Sequence, residues 1–201
     1  MEGGDARRAL LAHLWDYAGV FPPAELPLDD ALAEWRRIRT SGDAWLVNRL
    51  VVRTEQVEAC GSEPLAVVDG PEERQGGVVY REGETKLRCG GARVPPVDEI
   101  AALVRRCRAE GRRFKATAGL HHALPTDGEH GFLNLLAACV FGDEEAMLAT
   151  HEIELDAASF RAGGRVADAA ECARVRRDLF ASIGSCSFAE PVGELRALGI
   201  L

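Results

Sequence analysis

The chain has 201 residues, 47% of them apolar, and a formal charge of −8. That is enough for one domain, residues 1–201, with a real core, and the acidic balance argues against nucleic acid, whose phosphates need a basic face. No stretch approaches the roughly 20 apolar residues of a membrane span, and Met1-Glu2-Gly3-Gly4-Asp5 lacks the layout of a secretory signal, so a cytoplasmic chain with no membrane partner is expected.

In chain order, Leu10, Leu11, Leu14 and Trp15 recur at helical spacing and predict a helix over Ala6 to Ala18, stopped by Gly19 and Pro22-Pro23. A second helix is expected from Leu28 to Arg39, with Asp29 and Asp30 in its first turn, and a strand over Trp45 to Val52. Leu65 to Val68, Val78 to Arg81 and the segment around Lys86 are short strand candidates. Pro96 to Glu110 reads as a helix closed by Gly111, and Phe114 to Ala118 as the strand that follows. Lys86 to Lys115 is thus one β-α-β unit of the length that a parallel crossover needs.

Beyond the loop from His121 to Glu129, helices are expected over Gly131 to Phe141, from an Asp143 cap through Leu148, and over Ala167 to Ala181. A last strand over Ile183 to Phe188 and a helix over Pro191 to Leu198 close the chain. This alternation predicts an α/β fold with a mainly parallel sheet, in the form of a partial or shortened (β/α) TIM-like barrel. Gly61 to Glu84 is the stretch where strands follow one another without room for helices, and a homodimer is one way to complete such a shortened barrel. The six cysteines are dispersed with no CxxC pair, so reduced thiols are expected.

Of the 24 Lys and Arg residues only Lys86 and Lys115 are lysines, and each lies in a short strand running into glycine: Lys86-Leu87-Arg88-Cys89-Gly90-Gly91 and Phe114-Lys115-Ala116-Thr117-Ala118-Gly119. Where a plain positive charge suffices this chain uses Arg, so a retained Lys points to a compact ammonium or to an amine that can lose its proton. Neighbouring strands lie about 4.8 Å apart, so lysines at matching heights repel and one amine tends toward neutrality. Arg88 falls on the side of Lys86 by alternation. Such a surface suits a carbonyl compound bearing a carboxylate or phosphate, with the neutral amine as nucleophile. The alternative is that both lysines are anion partners in the interior.

His121, His122 and His130 form a second constellation, with Asp127 and Glu129 in the same loop and Asn134 one turn into the next helix. As acid/base groups His121 or His122 would move protons beside a Schiff-base lysine. As metal ligands His121, His122 and His130 could hold zinc or another divalent ion, although the spacing matches no standard signature. Otherwise they are structural, and no cofactor is required. Gly184-Ser185-Cys186-Ser187 before Glu190-Pro191 offers backbone N–H groups and the Ser185 and Ser187 hydroxyls to an anion; Cys186 is either a nucleophile or a small core residue. Asp16, before the rigid Gly19-Val20-Phe21-Pro22-Pro23 turn, either reaches into the site as a carboxylate or simply belongs to a helix end whose Phe21 packs inward.

The two lysine segments resemble those of class I aldolases similar to deoxyribose-phosphate aldolase, in which lysines on consecutive barrel strands form and tune a Schiff base. Five patterns, at Asp16 to Ala24, Lys86 to Gly91, Phe114 to His122, His130 to Asn134 and Gly184 to Pro191, are similar to those of an uncharacterised bacterial family. Members of that family are longer between the first strand and the Lys86 segment, which implies lost β/α elements here. The combined expectation is an enzyme, lyase or aldolase-like, acting on a small anionic carbonyl metabolite. Lys115 is the nucleophile, Lys86 its tuner, and His121 or His122 the proton carrier; Arg88, Asn134, Ser185, Ser187 and Asp16 contact substrate. The alternatives are a metal-dependent hydrolase or lyase built on His121, His122 and His130, and a non-catalytic barrel that binds a small anion or a partner.

Overall fold

The computed structural model describes residues 4–68 and 85–201. Helix α1 (Ala6–Leu11), with Asp5 accepting from the Arg8 amide at its start, leads into strand β1 (Trp15–Tyr17). Helix α2 (Leu28–Thr40), β2 (Val47–Arg53), β3 (Leu65–Val68), β4 (Thr85–Arg88), α3 (Val97–Ala109) and β5 (Phe114–Thr117) follow. Then come α4 (Phe132–Phe141), α5 (Glu144–Ala149), a three-stranded antiparallel sheet of β6 (Ile153–Leu155), β7 (Phe160–Ala162) and β8 (Arg165–Ala167), α6 (Ala169–Asp178), β9 (Phe180–Ser185) and α7 (Ala189–Ala197).

Among the described residues six strands form one parallel sheet in the order β3-β2-β1-β9-β5-β4, curled through 193° into a half-barrel. The order is sequence order laid around an arc: β1 to β3 run one way from the centre, and β9, β5 and β4 the other. First and last strands therefore pair, as they do in a closed eight-stranded barrel. Among the described strands the arc ends at β3 and β4. The expected strand over Val78 to Arg81 lies outside the described residues.

Three expectations are corrected. The predicted Ala6 to Ala18 helix stops at Leu11, His13 adopts a positive φ of 52°, and Trp15–Tyr17 is instead a central strand. A three-residue strand buried on both sides has no period to betray it, and Leu14 and Trp15 happen to continue the helical spacing. The Ala167 to Ala181 helix is shorter, ending at Asp178, and the last strand begins at Phe180 rather than Ile183. Asp168 and Glu171 form the capping box that opens this helix, a start signal lying just inside the predicted bounds.

On the helix-covered face, Trp15 meets Phe132 edge-on with centroids 5.4 Å apart, and Phe114 meets Phe180 at 5.1 Å. Period-two alternation then turns Asp16 and Lys115 to the inner face. At β2 and β3 that inner face is apolar: Val51 and Ala66 pack with Ala18 and Phe21, and the Arg53 guanidinium lies 4.8 Å from the Phe21 ring. The loop after β1 thus folds over the inner face at Val51 and Ala66, and the inner face from β4 to β1 is polar.

The glycines of both lysine motifs are explained by backbone crossing. A Cβ on Gly90 would come within 2.6 Å of the Gly119 Cα, and Gly119 itself has φ +66°. The loops leaving β4 and β5 therefore touch main chain to main chain, which only glycine permits. Gly119→Val should destabilise the fold by at least ~1 kcal/mol in urea unfolding, because it adds backbone strain to a clash with backbone; wild-type stability would contradict this packing.

Candidate functional site

Strands β4 and β5 pair with Lys86 opposite Lys115, so the two lysines stand at one height on one face. Lys115 is fully buried, and its ammonium contacts the carboxylate of Asp16, also fully buried. Strand β9 runs between them, and the lysine crosses it at Gly184, where an added Cβ would only touch the side chain, 3.5 Å from the Lys115 Cε and 3.6 Å from its Nζ. A larger side chain would fill the path to Asp16.

Asp16 collects donors from three further side chains. Asn48 Nδ2 donates at 2.8 Å, Arg49 Nη2 at 3.1 Å and Nε at 3.3 Å, and Ser182 Oγ at 2.9 Å. The irregular register between Trp15 and Tyr17 in the β1–β2 pair accompanies the approach of both Asn48 and Arg49 to one carboxylate. Burial pushes the Asp16 carboxyl up, but the charges of Lys115 and Arg49 and the hydrogen bonds they make outweigh it and hold the group below its ordinary range. Arg88, two residues beyond Lys86, is exposed, and its guanidinium lies over Gly91, where a Cβ would approach Nη2 to 3.1 Å.

A separate cleft of about 670 Å³ opens over the loops that leave β1, β5 and β9. It is lined by His121, His122, Glu129, Glu190 and Glu194 among small residues that include Cys186 and Ser187. His122 Nδ1 lies 2.6 Å from Glu194 Oε1, and the other oxygen of Glu194 accepts from the Ala123 amide at 2.5 Å. The hydrogen bond to Glu194 raises the His122 pKa above its ordinary value, against a smaller opposing effect of burial. His122 Nε2 faces Glu129 Oε2 at 3.8 Å, too far for a hydrogen bond. His121 Nδ1 is 3.0 Å from Glu190 Oε2, an ion-pair contact at the mouth of the cleft, where Glu190 is largely exposed.

The predicted site residues therefore divide. Lys86, Lys115 and Asp16 share the inner face; His121, His122 and Ser187 line the cleft, and neither lysine does. Asn134 reaches neither place: fully buried, it donates to the carbonyls of Met147 and Thr150, tying α4 to the end of α5. His130 Nε2 sits 2.7 Å from the Pro95 carbonyl, away from the other two histidines, and among the described residues no three His, Cys, Asp or Glu side chains gather as a metal-binding group. Ser185 spends its hydroxyl on the Ser187 carbonyl at 2.6 Å, and Ser187 Oγ accepts the Glu190 amide at 3.3 Å, so both shape the turn into α7. Burial pushes the Cys186 thiol up, away from the thiolate that a nucleophile needs. Sequence reasoning missed Asn48, Arg49, Ser182 and Glu194. Only Glu190 and Glu194, one turn apart on a helix after a small-residue turn, carried a local signal.

Asp16→Asn should cost roughly 3–5 kcal/mol, because it strands buried cations. The sign with pH follows from a depressed carboxyl: its stabilisation is complete above the unfolded value and is lost as pH falls through the lower folded value. The difference between wild type and variant in urea titrations should accordingly shrink only in acid, below about pH 4. For His122, the ring resonances should titrate above the ordinary histidine value and move down in Glu194→Gln; an unchanged midpoint in that variant would refute the dyad. Comparison with known proteins assigns no family: no family model matches the chain, and neither a curated protein nor a solved structure matches it.

Proposed function

We propose that the chain is an enzyme of lyase type that forms a Schiff base with a small anionic carbonyl compound on the inner face of the half-barrel. The observation that carries this reading is the in-register pairing of Lys86 with Lys115, one of them anchored on a buried carboxylate. Charges buried in a parallel barrel are expensive, and a network of them beside a pair of like charges is where a fold tunes reactivity.

The burial pattern supports an assignment of roles opposite to the one expected from the strands alone. Lys115 is inaccessible and held by Asp16, whereas Lys86 is only half-buried and stands within reach of a ligand. Lys86 is then the nucleophile, and Lys115 the fixed positive neighbour that favours a neutral amine beside it. The Lys86 Nζ adds to the carbonyl carbon, its two protons leave with the carbonyl oxygen as water, and a proton from solvent makes the imine cationic. The imine accepts the electron pair of the bond that breaks to give an enamine, which a solvent proton returns to the imine. Hydrolysis returns the amine. Arg88, farther along the same strand face, is the anchor for the carboxylate or phosphate of the substrate. The metal reading has less support, since His130 is turned to Pro95 and the other two histidines each face a carboxylate.

The test is borohydride trapping with pyruvate, glyoxylate and dihydroxyacetone phosphate, read by peptide mass spectrometry. A reduced adduct is expected on Lys86, lost in Lys86→Arg with the circular dichroism of the fold retained. An adduct on Lys115 would reverse the roles, and none on either lysine would leave a non-catalytic binding protein.

A further inference from the structure

Gly184 has no backbone reason to be glycine. It lies inside the central strand β9, in register with Thr117 on β5 and with Asp16 on β1. Glycine weakens a strand, and where it persists it marks a bulge, a close crossing of main chain, a special φ or the approach of a ligand. The irregular register of the β5–β9 pair lies earlier, between Phe114 and Ala116. The φ of Gly184 is not positive, and among the described residues the atoms nearest to an added Cβ belong to side chains in ordinary contact: Thr117 Cγ2 at 3.4 Å, Lys115 Cε at 3.5 Å and Lys115 Nζ at 3.6 Å. Alanine would fit, so the missing methyl is open space on the inner face, and the approach of a ligand is the explanation that is left.

The strand register extends this opening into a row. Arg88, Thr117, Gly184 and Asp16 are successive partners on β4, β5, β9 and β1, and the two in the middle are half-buried, within reach of solvent. Thr117 Oγ1 faces the Leu87 carbonyl at 3.5 Å, and its methyl lies beside Gly184. The Lys115 ammonium is held by Asp16, so the floor at Gly184 is a bare Cα, a methyl and a methylene. We infer that Gly184 is the specificity-determining residue of the inner face and seats a short alkyl tail beyond the carbonyl carbon of the substrate, an inference that rests on Lys86 as the Schiff-base nucleophile. The anionic group lies at the Arg88 end of the row and the tail at the Gly184 end. A polar tail would gain no hydrogen bond from that floor, so the substrate class is a 2-oxo acid with an alkyl substituent.

The experiment compares wild type with Gly184→Ala in the full chain. Borohydride trapping with 2-oxobutanoate, which has an ethyl tail, and with glyoxylate, which has none, gives an adduct ratio that should fall at least ~10-fold in Gly184→Ala, the effect of one misplaced methyl in an apolar seat. An unchanged ratio, or an equal loss with both compounds, would mean that the added methyl meets no tail and would overturn the assignment. The second readout uses 2-hydroxybutanoate, which cannot form an imine. Saturable shifts of the Gly184 and Thr117 amide resonances are expected in wild type, with weaker binding in Gly184→Ala. Such shifts without any lysine adduct would refute the Schiff base and leave the seat, whereas adducts with an unchanged ratio would refute the seat and leave the Schiff base. Neither shifts nor adducts would overturn both.

Discussion

One buried carboxylate holds the polar half of this sheet together. Asp16 on β1 is bonded to Asn48 and Arg49 on β2, to Ser182 on β9 and to Lys115 on β5, so a single side chain cross-links four of the six described strands of the arc. Burying that charge opposes folding, and only two cations and two neutral donors in contact with it offset the cost. The interior of a (β/α) barrel is ordinarily filled by branched apolar residues. Here Val51 and Ala66 supply such filling under Phe21, while Asp16, Arg49, Ser182 and Lys115 make the neighbouring interior polar.

The glycines follow from the same constraint. Lys115 passes beside Gly184 of β9 on its way to Asp16, and the loops above β4 and β5 touch only because Gly90 and Gly119 present bare backbone to each other. That contact draws the ends of the two lysine strands together. Lys86 and Lys115 stand at equal height on one face of the sheet. The loop after β5 carries His121 and His122 toward α7, where Glu190 and Glu194 receive them.

The half-barrel thus presents two chemically opposite regions at or near the carboxyl ends of its strands. The inner face carries Lys86, Arg88 and the Lys115–Asp16 pair, and the rim cleft is acidic. Parallel strands make this possible, because every connecting loop at that end is free to vary while the sheet beneath stays fixed. Among the described strands β3 and β4 are the edges of the sheet, whereas β1, β9 and β5, which hold the buried pair, are each paired on both sides.

Several things were legible in the residues alone. Alternation of strand and helix from Lys86 to Lys115 is local, so periodicity and turn chemistry were enough to predict a parallel unit with its lysines in register. The lysine-poor composition pointed to those two positions, and the short stretch before Lys86 predicted an incomplete barrel. Tertiary structure decided the rest. Strand β1 is three residues long and apolar on one side, so only its pairing with β2 and β9 distinguishes it from a helix end. Arg49 is one of 22 arginines and nothing in its neighbours marks it, while the one local sign of Glu194 is its place a turn beyond Glu190. Asn134, His130 and Ser185 looked chemical yet serve the backbone, because a polar side chain in the interior takes whichever partner the fold brings within hydrogen-bond reach. Local pattern determines elements; long-range contact determines which polar groups meet, and a site is made of such meetings.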